Sequence, residues 1–166
     1  MSNTENPDRF VAKFEVCDLD TFKERLPEEL MGDAEAIHSN LKLPLRGTKG
    51  SAGYDILAPF DITFIGSQYI TIPTGLKTKI RDGWVGLIMP RSGLGFKYGL
   101  RLANTVGVID SDYEGQILIR LKSDSTFTIK HGEGFAQILF LPFGLAADEK
   151  FKTTSERGTG GFGSTD

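Results

Sequence analysis

Residues 116–142 read Gln116-Ile-Leu-Ile-Arg-Leu-Lys122, then Ser-Asp-Ser, then Thr126-Phe-Thr-Ile-Lys130, then His-Gly-Glu-Gly134, then Phe135-Ala-Gln-Ile-Leu-Phe-Leu-Pro142. Three short apolar or alternating runs, 116–122, 126–130 and 135–142, are parted by clusters of Ser, Asp and Gly. Runs of this length between turn formers read as strands. The same pattern extends back to residue 54. Ile62 alternates with Phe64, Tyr69 with Thr71, and Leu76 with Thr78 and Ile80, and further runs cover 84–89 and 105–109. No long amphipathic helix occurs within 47–166, which argues against a parallel α/β sheet. The expected class is all-β: a sandwich, jelly roll or barrel.

Upstream of this region the pattern changes. Residues 10–16 alternate loosely and predict one more strand. Thr21 and Glu24 then have capping-box spacing, and Phe22, Leu26 and Leu30 recur every four residues with Pro27 interrupting them. This predicts a broken helical segment over 21–38, poor in apolar anchors and lying on the surface. It forms a short N-terminal helical insertion, residues 18–41, which serves either as decoration or as a contact for a protein partner. Glycine and charge divide the chain nearby. Of 20 glycines only Gly32 precedes Arg46. Residues 1–46 carry ten acidic and six basic groups, and residues 47–166 twelve and thirteen. The expected organisation is one domain over 1–166, with an acidic N-terminal part ahead of a glycine-punctuated main part.

The net charge of −3 is mild and makes no case for duplex nucleic acid or an anionic membrane as partner. A small anionic ligand needs only local positive charge. Apolar stretches fall far short of the ~18–20 residues of a membrane-spanning helix. Met1–Asp8 lacks the basic start and apolar run of a signal peptide. The lone Cys17 excludes an internal disulfide and a multi-cysteine zinc site. A cytoplasmic location is the expectation.

Five segments could carry chemistry. Pro90-Arg-Ser-Gly-Leu-Gly95 has the arginine, hydroxyl and glycines of a phosphate nest, or of a plain loop. Arg157-Gly-Thr-Gly-Gly-Phe-Gly-Ser-Thr165 has the content of a phosphate loop without the Walker ending, and Phe162 is an aromatic able to cover a flat ring; read blandly, it is a floppy tail. Asn104-Thr-Val-Gly-Val-Ile-Asp110-Ser-Asp-Tyr113-Glu-Gly115 sets a carboxylate, Asp110, between Ile109 and Tyr113, where it could act as a general base on water, and Asn104 offers donor and acceptor to a base edge; a β-turn has similar content. Ser51-Ala-Gly-Tyr-Asp55-Ile56 is a small-residue turn entering a strand. Gly134-Phe-Ala-Gln137-Ile138 places a glutamine inside an apolar strand, where it must find partners.

Each segment alone is ordinary, but their order and spacing are specific. Ala52-Gly-Tyr-Asp55, Pro90-Arg-Ser-Gly-Leu94, Gly107-Val-Ile-Asp-Ser-Asp-Tyr-Glu-Gly115, Gly134-Phe-Ala-Gln137 and Arg157–Thr165 resemble the five motifs of the trimeric dUTP pyrophosphatases, the dUTPases. The resemblance covers 42–166 and the first strand, leaving 18–41 outside it. It implies a jelly roll, a homotrimer whose active sites each draw on three chains, and a mobile C-terminal arm, 156–166, crossing to a neighbour. The implied reaction converts dUTP to dUMP and pyrophosphate with Mg²⁺, removing dUTP and supplying the precursor of dTMP. By the same resemblance Asp110 is the catalytic carboxylate that activates water. Arg91, Ser92, Gly93 and Gln137 contact phosphate. Asn104 with Val106, Gly107, Val108 and Ile109 forms the uracil-reading hairpin. Tyr113 stacks under deoxyribose and excludes a 2′-hydroxyl. Arg157, Gly163, Ser164 and Thr165 clamp the γ-phosphate, Phe162 covers uracil, and Asp55 lies in the outer shell of the metal.

The chain departs from the family pattern at Gly134, where an arginine is usual, and in the insertion. Asp166 stands in place of a final glycine, with a small expected effect. Two other readings compete. A dCTP deaminase relative would carry a glutamate where this chain reads Ile119-Arg120-Leu121, and a zinc deaminase would need His-x-Glu and Pro-Cys-x-x-Cys, neither of which occurs. A nucleotide-gated regulatory binding module would use 18–41 but has no need of the full catalytic set.

Overall fold

The computed structural model describes residues 10–148, Lys150, Gly158 and Thr159. In chain order it contains β1 (Ala12–Val16), α1 (Leu19–Lys23), a 3-10 helix (Glu28–Asp33), α2 (Ala34–Ser39), β2 (Leu45–Arg46), β3 (Tyr54–Leu57), β4 (Ile62–Phe64), β5 (Gln68–Pro73) and β6 (Leu76–Ile80). There follow β7 (Trp84–Pro90), α3 (Ser92–Tyr98), β8 (Arg101–Leu102), β9 (Gly107–Ile109), β10 (Leu118–Ser123), β11 (Phe127–Ile129) and β12 (Gly134–Pro142). The strands form a five-stranded sheet in the order β2-β3-β12-β7-β9, a three-stranded sheet β5-β10-β8, and the pairs β1-β6 and β4-β11. All pairs of named strands are antiparallel. This is the expected all-β jelly roll.

Alternation turns one face of each strand inward. Ile72, Leu76, Ile88, Ile119, Leu121, Ile129, Phe135 and Ile138 share one core with residues of every sheet. The N-terminal strand is part of this fabric, because β1 pairs with β6 from Ala12–Ile80 to Val16–Leu76. The acidic N-terminal part is therefore stitched to the sheet.

The helical segment differs from expectation in two ways. Its start is capped by Asp18, whose carboxylate accepts from the backbone N–H of Thr21 at 2.8 Å, so α1 begins ahead of the Thr21–Glu24 pair and Glu24 is its C-cap. Pro27 does break the pattern, and the 3-10 helix starts immediately after it. The segment is also better anchored than its composition suggests. Phe22, Leu26 and Ala34 are buried with Cys17 in a second core, against which Leu30, Ile37, Leu41 and Phe60 pack. Burial pushes the Cys17 thiol up to about 11, leaving it protonated at neutral pH. Buried Gln116 ties α1 to the sheets: its Nε2 donates to the Thr21 carbonyl and its Oε1 accepts from Gly75 N–H, both at 2.9 Å.

Candidate active site

Three of the five sequence segments meet at one end of the five-stranded sheet. On β12, Gln137 lies opposite Met89 of β7 and opposite Asp55 of β3, so the three stand in one row. Arg91 follows β7 directly. Its Nε lies 3.4 Å from Asp55 Oδ1, and its Nη1 donates to the Gly134 carbonyl at 3.2 Å. Gln137 Nε2 donates to the Pro90 carbonyl at 3.4 Å. Its Oε1 fills the space beside Gly53, where a Cβ would stand only 2.6 Å away. Glycine at 53 thus makes room for that amide by close approach rather than by its backbone angle, and a side chain there would displace Gln137.

Ser92 and Gly93 are exposed, as a ligand-contacting segment requires, but they open α3 instead of lying in a loop. Gly93 and Gly95 hide this helix from a reading by propensity. The signal was at its end, where Gly99 caps it in the left-handed region at φ 63°.

The third segment is a turn that leads from β8 into β9, the edge strand of the five-stranded sheet. Asn104 is exposed at its tip, Thr105 adopts a left-handed φ of 67°, and Val106 N–H donates to the Asn104 carbonyl at 2.7 Å. In β9, Gly107 pairs with Ile88, Val108 with Leu87 and Ile109 with Gly86. Half-buried Asp110 comes next, and its carbonyl accepts from Tyr113 N–H at 3.2 Å. The Tyr113 hydroxyl donates to the Gln116 carbonyl at 2.8 Å, so the residue that anchors α1 also anchors this ring. Gly158 lies against the same turn: it bridges Tyr113, and its carbonyl accepts from Glu114 N–H at 2.7 Å. Arg157, Phe162, Gly163, Ser164 and Thr165 lie outside the described residues.

Within one chain the two groups stand apart. Ile109 faces Gly86, and Arg91 is five residues further along, ~17 Å at a rise of ~3.3 Å per residue. Asp110 and Tyr113 therefore occupy one end of the sheet, and Asp55, Arg91 and Gln137 the other. The outer face between them is apolar. Leu139, Leu87 and Val108 stand abreast, followed by the row of Leu141 and Val85. Val108 is 51% exposed and Leu141 44%. No group of three His, Cys, Asp or Glu side chains able to hold a metal ion exists among the described residues.

The family model of dUTPase matches residues 39–166. A deoxyuridine 5'-triphosphate nucleotidohydrolase of Tolumonas auensis is 45% identical over 139 residues, spanning 78% of this chain and 90% of its own. Its counterpart in Shewanella baltica is 40% identical over 149 residues, 84% of this chain and 96% of its own. A solved dUTPase from Streptococcus mutans superposes with a TM-score of 0.62 at 31% identity, covering 81% of this chain and 98% of that one. The dUTPase from phage phi11 of S. aureus superposes at 0.65 with 20% identity over 87% and 97%, a likeness of fold alone.

Proposed function

This chain belongs to the dUTPase family, and from that premise we propose that it hydrolyses dUTP to dUMP and pyrophosphate as a homotrimer whose copies share each active site. The observation that supports sharing is the stranding of Asp110 and Tyr113 at one end of the sheet and Asp55, Arg91 and Gln137 at the other, with an exposed apolar strip between. Docking copies on that strip removes it from water. It also carries one copy's Asp110 to its neighbour's arginine. Strand alternation continued one step past β9 puts Asp110 on the face of Val108, the face so covered.

In this reading Asp110 accepts a hydrogen bond from a water and takes its proton as the oxygen attacks the α-phosphorus. The bond from that phosphorus to the bridging oxygen breaks, and pyrophosphate leaves. Arg91, Ser92, Gly93 and Gln137 hold the phosphates. Asn104 and the backbone of 106–109 read uracil, and Tyr113 packs under the sugar. Arg157, Phe162, Gly163, Ser164 and Thr165 close over the nucleotide from the arm and exclude water. The oxygen donors of this chain would suit Mg²⁺ held through its outer shell. Asp55, a half-buried carboxylate beside Arg91, suits that outer shell. When bound, Mg²⁺ supplies neutralisation of the triphosphate charge. The product dUMP is the precursor of dTMP, which gives the reaction its place in deoxynucleotide supply. Neither a deaminase nor a pure binding module is favoured.

Two measurements test this. Pyrophosphate release should occur from dUTP and not from dCTP, dTTP or UTP. Mixing Asp110→Asn with Arg91→Ala chains after unfolding and joint refolding should restore activity to two inactive variants, since mixed trimers contain sites with both groups intact. A mixture as inactive as its components would sink the shared site.

A further inference from the structure

Gly134, which departs from the family's arginine, lies against Arg91. A Cβ at 134 would stand 2.8 Å from Arg91 Nη1, 3.1 Å from Cδ and 3.3 Å from Cζ. The arginine therefore lies flat in the notch that the glycine leaves on β12. Two contacts hold it there, from Nη1 to the Gly134 carbonyl and from Nε to Asp55 Oδ1. The notch falls where the β12–β3 register shifts, between Gly134 and Ala136. A bulge of this kind re-aims side chains. A guanidinium has five N–H donors in a rigid fork. One Nη1 hydrogen is donated on the strand side, Nε lies at ion-pair distance from Asp55, and the Nη2 pair has no partner among the described residues.

We infer that Gly134 is a positioning residue: its bare backbone seats the Arg91 guanidinium on β12, coupled to Asp55, with the Nη2 edge presented to the phosphates of dUTP. The inference rests on the phosphate-binding role proposed for Arg91. The family's arginine at this position would fill the notch and contribute its own charge. In this chain the second-motif arginine lies in that space, and the cation count at this end of the site is lower by one. A side chain at 134 meets the flexible end of an arginine rather than backbone, so a small one is accommodated by moving Arg91 and leaves the fold intact.

The test is Gly134→Ala in the full-length protein, with steady-state kinetics on dUTP and calorimetric binding of inorganic pyrophosphate, each repeated in an Arg91→Lys background. Lysine keeps the charge but lacks the fork. Gly134→Ala should raise KM for dUTP about three- to tenfold with kcat within twofold, the pattern of lost binding common to ground and transition states. Pyrophosphate binding should weaken by a similar factor. Both effects should vanish in Arg91→Lys, because they act through the guanidinium. Unchanged KM and pyrophosphate affinity would overturn the inference, as would an equal loss in the Arg91→Lys background. If Gly134→Ala fails to fold, Asp55→Asn, which loosens Arg91 from the same seat without adding volume, decides through pyrophosphate binding measured without added Mg²⁺ in the same two backgrounds. Failure of the wild type to release pyrophosphate from dUTP would refute the activity instead, and pyrophosphate binding would still read the Gly134–Arg91 coupling.

Discussion

Single atoms decide much of this site. Asp110→Asn should lower kcat for dUTP ~10²–10⁴-fold, the usual contribution of a positioned base, while sedimentation shows the assembly unchanged. Gly115 supports Tyr113 in a way the sequence hides. A Cβ there would stand 2.5 Å from the tyrosine hydroxyl oxygen, 2.7 Å from Cζ and 2.9 Å from Cε2. Gly115→Ala must displace the ring, so the preference for dUTP over UTP, measured as a ratio of kcat/KM, should fall about tenfold, equivalent to ~1.4 kcal/mol. The residues gathered at each end of the sheet were legible because motif order survives in one sequence. Asp55 beside Arg91 was not, since a contact across two strands depends on register. Nor was the service of Gly53 and Gly134, because a glycine that makes room for a neighbour looks like one that makes a turn.

At the scale of elements, the strands were the legible part. Short runs between turn formers gave β7, β10, β11 and β12 nearly in full, since period and punctuation are local properties. The anchoring of the insertion was not legible, because Cys17, Leu41 and Phe60 reach it from outside the helical pattern. Phe22 is fully buried there, and Phe22→Ala should cost about 3–5 kcal/mol in urea unfolding, the range for emptying a packed aromatic site. A surface decoration would lose almost nothing. The α1 cap gives a pH signature. Hydrogen bonds from Thr21 hold the Asp18 carboxyl below the ordinary carboxylate range. A group depressed in this way contributes stability above its unfolded value, ~3.9, and loses it as pH falls through the folded value. Asp18→Ala should therefore lower the melting temperature at pH 7, and the gap from wild type should close below about pH 4.

At the scale of the molecule, the outer face of the five-stranded sheet is the proposed docking surface between copies. A lysine at the centre of the apolar strip puts an unpaired charge where the copies are proposed to dock. Leu139→Lys should sediment as a monomer with unchanged far-ultraviolet dichroism and no dUTP hydrolysis. A trimeric, active Leu139→Lys would move the interface elsewhere. The position of β12 in this sheet has another consequence. It lies between β3 and β7 yet is made after both, more than seventy residues later than β3. On the ribosome, at ~5–20 residues per second, β3 and β7 wait several seconds for the strand that joins them. Throughout that interval Ile56 and Ile88 lack their β12 neighbours, and the β12-facing edges of β3 and β7 are unpaired. The nascent chain is thus exposed to aggregation until β12 is made, and a pause in translation ahead of residue 134 would lengthen that window.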